Sequence, residues 1–377
     1  MHLSYWESDS FFSHIDCAII GSGIVGLNAA IELKRLHPNW RIVVLERGAI
    51  PSGASTKNAG FACFGSMTEL MADLTSHSEQ ELMDLIQLRW KGLQFMRETL
   101  GDAPLKFDPC GGFELFRPQE ESVFEACMDS ISYFNQLVQS ATGLADTFSL
   151  TDDQIEYWGF QGISHAIFNQ HEGAIHTGEM MKGWLGLAQS IGIEIFTGIT
   201  IEAIHHSNQQ VELLTNAGFP LHAERVLVAT NGFAKRLLPE LPVLPARNQV
   251  LVTEPIPKLT VRGTFHYHEG YVYVRNIGNR LLIGGGRHLA QASETTDQFG
   301  LTDQIRTYLT DILAQTLLPN QPFQIAHAWS GIMGIGTQKR PIVQQTDDRI
   351  WVAVRLGGMG VAIGSQIGRE AAQLLSS

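Results

Sequence analysis

Cysteine is scarce in this chain, and its positions form no motif. The four cysteines, Cys17, Cys63, Cys110 and Cys127, include no CxxC pair and no metal-ligand spacing. Their arrangement argues against a dithiol that exchanges disulfides and against a thiolate-based zinc motif. It favours buried thiols without a chemical role.

Long apolar runs and basic clusters are also missing. No stretch approaches the ~18 consecutive apolar residues of a membrane span. Segment 1–16 has acids where a signal peptide would be basic, so we expect a cytoplasmic protein. The formal net charge is -12 at pH 7, which disfavours binding to nucleic acid or to an anionic membrane surface.

The N-terminal segment contains a complete β-α-β pattern. An apolar strand at 17–20 leads into Gly21-Ser22-Gly23-Ile24-Val25-Gly26, and a helical pattern follows as far as Leu36. A second apolar strand at 41–46 ends at Glu46. A GxGxxG sequence in this context places helix N-terminal amides against a pyrophosphate. Glu46 stands where a ribose-binding acid belongs, and its charge disfavours NADP.

The rest of the chain mixes helices and strands without a visible linker or repeat, so we expect two intertwined domains. Apolar periodicity predicts helices at 78–100, 118–140, 178–190, 298–316 and 360–375. It predicts strands at 112–116, 193–204, 209–214, 224–230, 323–331 and 349–355, and β-structure over 247–286.

Three further motifs resemble those of FAD-dependent enzymes. Segment 51–60 resembles a phosphate- and flavin-contacting loop, 226–232 a strand and turn near the cofactor, and 356–361 a C-terminal flavin loop. With the GxGxxG turn, they follow the family order along essentially the whole chain. On these residues the chain resembles the D-amino acid oxidase superfamily, in the branch of glycine oxidase, sarcosine oxidase and gamma-glutamylputrescine-oxidase-like proteins.

This resemblance implies both fold and cofactor. The implied fold is α/β, with a Rossmann-like FAD-binding domain around a central parallel sheet and an interleaved substrate domain of antiparallel sheet plus helices. We assign 1–75, 145–235 and 325–377 to the FAD-binding domain, and 76–144 and 236–324 to the substrate domain. The implied FAD-binding residues are Gly21, Ser22, Gly23, Ile24, Val25, Gly26, Glu46, Arg47, Ser55, Thr56, Asn58, Ala59, Gly60, Ile201, Ala229, Thr230, Asn231, Gly232, Gly357, Gly358, Met359, Gly360 and Val361.

We expect FAD to be bound non-covalently. The cysteine that attaches the flavin in the sarcosine oxidase branch has no counterpart, because no cysteine lies beyond Cys127. The lysine which that branch places by the flavin, in the strand matching 280–285, is also missing. This second absence leaves open whether O₂ or another acceptor takes the electrons.

The antiparallel sheet is expected to carry the substrate-binding groups. Alternation along 271–275 places Tyr271, Tyr273 and Arg275 on one face. The alternative is aromatic sheet packing with Arg275 at the surface. Similarity to glycine oxidase implies that Tyr271 contacts substrate, and we take Tyr271, Tyr273 and Met333 as the candidate catalytic residues.

Met333 marks a departure from the family pattern. Glycine-oxidase-like members carry an arginine for the substrate carboxylate in a WxGxR motif, and this chain has Met333 there, after Trp329 and Gly331. A thioether cannot make a bidentate bond to a carboxylate. Either another cation takes over, or the substrate is an amine or an N-substituted compound. The candidate cations are Arg247, Arg275, Arg287 and Arg340.

No metal site is predicted. His266-x-His268 and His205-His206 have ligand-like proximity, but no third ligand falls at a recognisable spacing. Exposed or hydrogen-bonded imidazoles explain both pairs.

The leading hypothesis is FAD-dependent oxidation of a small amine or amino acid. In this superfamily a hydride passes from the substrate α-carbon to flavin N5, and the imine then hydrolyses. A 2-hydroxy-acid dehydrogenase is one alternative. The other is a flavin-binding subunit of a larger complex, with little activity alone. Substrate identity and oligomeric state stay open.

Overall fold

The computed structural model describes residues 3–206 and 210–377, and two eight-stranded sheets organise them. The strands are β1 (Ile15–Ile20), β2 (Ile42–Glu46), β3 (Phe61–Ala62), β4 (Gly112–Phe116), β5 (Phe148–Leu150), β6 (His165–Asn169), β7 (Gly173–Ala174), β8 (Glu194–Thr197), β9 (Ile201–His206), β10 (Val211–Thr215), β11 (Pro220–Val228), β12 (Leu244–Thr253), β13 (Thr264–Tyr267), β14 (Val272–Ile277), β15 (Arg280–Gly285), β16 (Ile325–Ile335), β17 (Ile342–Asp347) and β18 (Ile350–Val354).

Helices connect and cover these strands. They are α1 (Tyr5–Phe11), α2 (Ile24–Leu36), α3 (Ala54–Lys57), α4 (Met67–Leu74), α5 (Glu79–Leu100), α6 (Asp102–Leu105), α7 (Glu121–Thr142), α8 (Asp153–Trp158), α9 (Thr177–Ser190), α10 (Gln291–Glu294), α11 (Asp303–Ile312) and α12 (Gly360–Ser376). Within the described ranges, no helix has both the length and the apolar character needed to cross a membrane.

The first sheet is parallel at its centre. Its order is β17-β18-β11-β1-β2-β8, and β10 and β9 extend it from β11. Strands β18, β11, β1, β2 and β8 run parallel. Helices α2, α5, α9 and α12 pack on one face of this sheet. Strands β2 and β18 are buried along their whole length, which explains their continuous apolar sequences.

The second sheet is largely antiparallel, in the order β16-β12-β15-β14-β13-β4-β6-β5, with β13 and β4 parallel. One face packs on α11 through residues such as Val274 and Ile283. The opposite face, here called the site face, packs Val250, Leu282, Tyr273 and Trp329 against Ala59. The site face is therefore turned toward the loop at 51–60.

Most predicted elements are confirmed, and the predicted α/β fold class is correct. The strand predicted at 193–204 is wrong, because Gly198 (φ 77°) separates β8 from β9. The helix predicted at 298–316 begins only at Asp303 and ends in a π-helical turn at Leu313–Leu317. Strands β3, β5, β6, β7 and β17 and the shorter helices α1, α3, α4, α6, α8 and α10 were not predicted. Residue 209, the predicted start of the next strand, lies outside the described residues.

Three strands of the antiparallel sheet lie in two segments that were assigned to the FAD-binding domain. Strands β5 and β6 belong to the antiparallel sheet, although 145–235 was assigned to the FAD-binding domain. Strand β16 also pairs there, with β12, although 325–377 was assigned to the FAD-binding domain. Short apolar strands do not show in their own sequence which distant strand they pair with. The division into two domains otherwise stays a prediction.

Candidate active site

The GxGxxG turn joins β1 to α2 and requires glycine at two positions. Gly21 has φ 107°, and a Cβ there would lie 2.9 Å from the carbonyl oxygen of Ala229. A Cβ on Gly26 would overlap the carbonyl oxygen of Gly21. Helix α2 begins immediately after Gly23, so its free amides and the positive end of its dipole lie at this turn. The arrangement suits a pyrophosphate.

Glu46 lies at the end of β2 and is 6% exposed. Its Oε2 accepts hydrogen bonds from Ser22 N at 3.2 Å and from Ser22 Oγ at 2.7 Å. Its Oε1 accepts from Gly48 N at 2.9 Å and from Ser52 Oγ at 3.1 Å. The carboxylate is thus fixed beside the GxGxxG turn, as the sequence predicts. Its contact with a ribose stays a prediction.

Arg47 lies next in the chain and stacks on an aromatic ring. Its guanidinium carbon is 3.8 Å from the ring centroid of Phe233. Burial lowers the pKa of Arg47, and the nearby Arg236 lowers it further. Arg47 therefore places a cation close to the end of β2.

The loop at 51–60 is held against α2 and α9. Ser55 Oγ accepts a hydrogen bond from Ile24 N at 3.0 Å, in the first turn of α2. Asn58 Oδ1 accepts from Gly60 N at 2.8 Å and from Thr177 Oγ1 at 3.0 Å. Thr56 Oγ1 donates to Pro51 O at 2.7 Å. The two predicted phosphate-binding segments therefore lie side by side.

Arg275 holds the same loop from the site face. Its Nη1 donates to the carbonyl oxygens of Gly60 at 2.9 Å, Ile175 at 2.8 Å and Ala59 at 3.2 Å. Burial lowers the pKa of this guanidinium. The alternative of a surface Arg275 is therefore wrong, and this cation already has backbone partners.

Asn231 joins the turn after β11 to the C-terminal loop. It has φ 48°, and its Oδ1 accepts from Arg355 N at 3.1 Å and from Leu356 N at 3.4 Å. Gly357 N donates to Gly334 O at 3.0 Å, which brings β16 to the same place. A Cβ on Gly358 would lie 3.6 Å from Met333 Sδ. Met333 therefore borders the predicted flavin loop.

The cofactor residues predicted from separate motifs thus converge at one end of the parallel sheet, with one difference. The converging set comprises Gly21–Gly26, Glu46, Arg47, Ser55–Gly60, Ala229–Gly232 and 357–361. Ile201 instead buries its side chain in the core between strands, with Val211 and Ile20. Its contact with FAD stays a prediction.

The two candidate tyrosines differ in setting. Tyr273 points to the site face, where its ring centroid lies 5.9 Å from that of Phe61 and burial raises its pKa. A Cβ on Gly284 would overlap its ring. Tyr271 precedes β14 and is 44% exposed. Only Tyr273 is therefore packed over the loop that follows Gly60.

Sequence reasoning missed Phe61 and the role of Trp329. Phe61 follows the motif at 51–60 directly, and that position was a usable signal. Trp329 Nε1 donates to Lys57 O at 3.0 Å, which ties β16 to the same loop. Together they close the site face over the predicted FAD-binding segments.

The residues present fit FAD. The buried Thr230 Oγ1 has no hydrogen-bond partner in the described chain and lies beside the GxGxxG turn. A Cβ on Gly23 would fill the space next to Ser55 Oγ, 2.9 Å away. A close backbone approach at Gly23 and a buried hydroxyl without a partner, beside the turn that begins α2, suit a dinucleotide phosphate.

The comparison with protein families agrees with this geometry. The model described as "DAO: FAD dependent oxidoreductase" matches residues 16–374. The chain belongs to this family. The predicted superfamily and the prediction of an FAD-dependent oxidoreductase are confirmed.

Relatives extend along most of the chain. A probable oxidoreductase, OrdL, from Rhizobium meliloti is 24% identical over 95% of this chain and 82% of its own length. The bifunctional protein ThiO/ThiG from Synechocystis sp. is 29% identical over 63% of this chain, and the match covers 32% of that longer protein. Among solved structures, iminodiacetate oxidase (IdaA) from Chelativorans sp. BNC1 is similar with a TM-score of 0.77, at 18% identity over 96% of this chain and 95% of that one.

Proposed function

We propose that this protein oxidises a small amine or amino acid with non-covalently bound FAD. When bound, FAD supplies the acceptor for the hydride that leaves the carbon next to the amine nitrogen. The observation that carries the proposal is the site face, which packs over the FAD-binding loop through Tyr273 and Trp329. An apolar cover of this kind excludes water and orients a small substrate.

Two of the four candidate carboxylate-binding cations are already engaged. Arg247 forms a two-pronged ion pair with the buried Glu294, with Nε–Oε2 2.8 Å and Nη2–Oε1 2.9 Å. Arg275 donates to backbone carbonyls. Within residues 3–206 and 210–377, no ion pair involves the side chain of Arg287 or Arg340.

Arg287 is the better placed of the remaining two. It lies two residues after the end of β15, and Gly286 N donates to Tyr271 O at 3.0 Å, so the backbone at Arg287 lies close to the candidate substrate tyrosine. We therefore propose that the substrate carries an anionic group, that Arg287 binds it, and that Tyr271 assists. The name iminodiacetate oxidase, given to the similar structure, denotes a substrate that is both an amine and a carboxylate.

The test is anaerobic reduction of the purified yellow protein by amines, D- and L-amino acids and 2-hydroxy acids. We expect bleaching by amines or amino acids, release of ammonia or an amine, and release of FAD on denaturation. Bleaching by 2-hydroxy acids alone would support the dehydrogenase alternative instead. A yellow protein that no substrate class bleaches would support the complex-subunit alternative. Admitting air after reduction identifies O₂ or another compound as the electron acceptor.

A further inference from the structure

Three side chains from distant parts of the chain form a buried cluster next to the site face. Cys63 follows β3, Glu172 lies in the turn between β6 and β7, and His266 belongs to β13. One ligand-type atom of each lies within 4.8 Å of the others. All three residues are at most 9% exposed. Positions 63, 172 and 266 are too far apart in the sequence to suggest a common site. His268, which the sequence paired with His266, is not part of the group.

The hydrogen bonds of the cluster leave one buried atom unexplained. Glu172 Oε1 accepts from Thr264 Oγ1 at 2.9 Å and contacts His266 Nε2 at 2.8 Å. Glu172 Oε2 is buried and has no hydrogen-bond partner within the described ranges. A simple Glu–His pair does not account for this oxygen, because a buried carboxylate oxygen without a partner is costly.

A second unpartnered group borders the same place. The buried amide Nδ2 of Asn169 lacks a hydrogen-bond partner in the part of the chain described. Asn169, Glu172, His266 and Glu114 line a cavity of about 10 Å³. A space of this size holds about one water molecule.

We propose that Cys63, Glu172 and His266 bind one divalent transition-metal ion, and that zinc is the ion their chemistry favours. A thiolate, an imidazole and a carboxylate are all zinc ligands, and a water would complete a four-coordinate site. Thr264 would orient the carboxylate ligand, as outer hydrogen bonds do in metal sites.

Metal binding replaces protons and changes no oxidation state. The ion takes the place of the proton on Cys63 Sγ and of the proton between His266 Nε2 and Glu172, and the released protons go to solvent. The bound charge is +2, against one thiolate and one carboxylate. The three ligands therefore neutralise the charge of the ion.

The ion would connect three segments around the proposed substrate site. It would link the loop after Gly60, the turn before α9 and strand β13. The ring of Phe61 lies 5.4 Å from that of His266 and 5.9 Å from that of Tyr273. A metal at this point would hold the aromatic pair over the FAD-binding loop. This inference does not depend on which substrate is oxidised.

The experiment measures metal per flavin by mass spectrometry on the full-length flavoprotein, before and after treatment with a chelator and reloading with zinc chloride. We expect about one zinc per chain, proton release on binding, and a melting temperature that falls when zinc is removed. Cys63→Ser and His266→Asn should each weaken zinc binding by at least about 100-fold. This is more than expected for a residue that only hydrogen-bonds to a metal ligand.

Matched controls change a similar residue elsewhere. Cys127→Ser alters another buried cysteine, which contacts Met71, and His268→Asn alters the neighbouring histidine. Both should retain zinc as the wild type does. Wild-type protein that holds no zinc after reloading and desalting overturns the proposal, whatever the variants do. Zinc retained equally by Cys63→Ser also overturns it, because the ion then sits elsewhere.

Discussion

Arg275 Nη1 donates to the carbonyl oxygen of Gly60 at 2.9 Å, across 215 positions of sequence. The contact ties the antiparallel sheet to the loop that follows α3. Because the guanidinium makes two further bonds to carbonyl oxygens, of Ala59 and Ile175, we infer that it fixes the end of the predicted FAD-binding loop rather than a substrate.

Replacing Arg275 should therefore weaken FAD binding. Charge-assisted hydrogen bonds contribute roughly 1.5–3 kcal/mol each, so Arg275→Met should raise the Kd for FAD by about tenfold or more. Arg275→Lys should recover only part of the affinity for FAD. A lysine ammonium keeps the positive charge, but it cannot reproduce the fixed geometry of the guanidinium N–H groups. Fluorescence titration of the apoprotein with FAD measures this. Arg262→Met, at an exposed arginine in the loop before β13, is the control, and an unchanged Kd in Arg275→Met would contradict the assignment.

Asn231 should control the C-terminal loop. Asn231→Ala removes the acceptor for Arg355 N and Leu356 N and puts alanine at φ 48°, so we expect a loss of about 2–4 kcal/mol in unfolding free energy. Asn231→Asp keeps the oxygen and tolerates this backbone angle, so it should retain most of the stability. Urea unfolding compares the two variants. Equal destabilisation by Ala and Asp would show that the acceptor oxygen is unimportant.

The contact between Gly284 and Tyr273 should set the shape of the site. A side chain at position 284 would overlap the tyrosine ring, so Gly284→Ala should displace the ring and raise KM by about tenfold. Adding Tyr273→Ala should give a non-additive result, because the overlap is then removed. Gly186→Ala, at a helical glycine with open space around it, is the control. Strict additivity of the double variant would argue against the contact.

Arg287 should distinguish charged from uncharged substrates. If Arg287 binds an anionic group, Arg287→Met should raise the KM for an amino acid by roughly 10²-fold. The KM for the amine that lacks the carboxylate should stay nearly the same. Arg340→Met is the matched control, because that side chain is exposed and also lies outside the ion pairs of the described chain. Steady-state kinetics with one amino acid and its decarboxylated amine decide the matter. Equal effects on both substrates would exclude a carboxylate contact.

Local patterns in the sequence predicted the elements well and their assembly less well. The strand before Gly21, the helix after it and the strand that ends at Glu46 depend on residues a few positions apart, and all three are confirmed. The pairing of β16 with β12 was not predicted, because strand partners come from distant sequence. Strand β6, which pairs with β4, was not predicted at all. The prediction of a single strand at 193–204 was wrong because a turn at Gly198 divides it, and apolar periodicity does not detect a turn of this kind.

The sequence by itself determined the family and the β-α-β unit that ends at Glu46, because backbone turns and helix starts are encoded by adjacent residues, and it predicted the FAD-binding segments. Only the tertiary structure decided what the cations and the buried acids do. In the folded chain Arg247 pairs with Glu294, and Arg275 donates to the carbonyl oxygen of Gly60. The fold also brings together Cys63, Glu172 and His266. The physical reason is that the interaction between two charged groups depends on the distance between them. For these residues that distance is set by the packing of segments that are far apart in the chain.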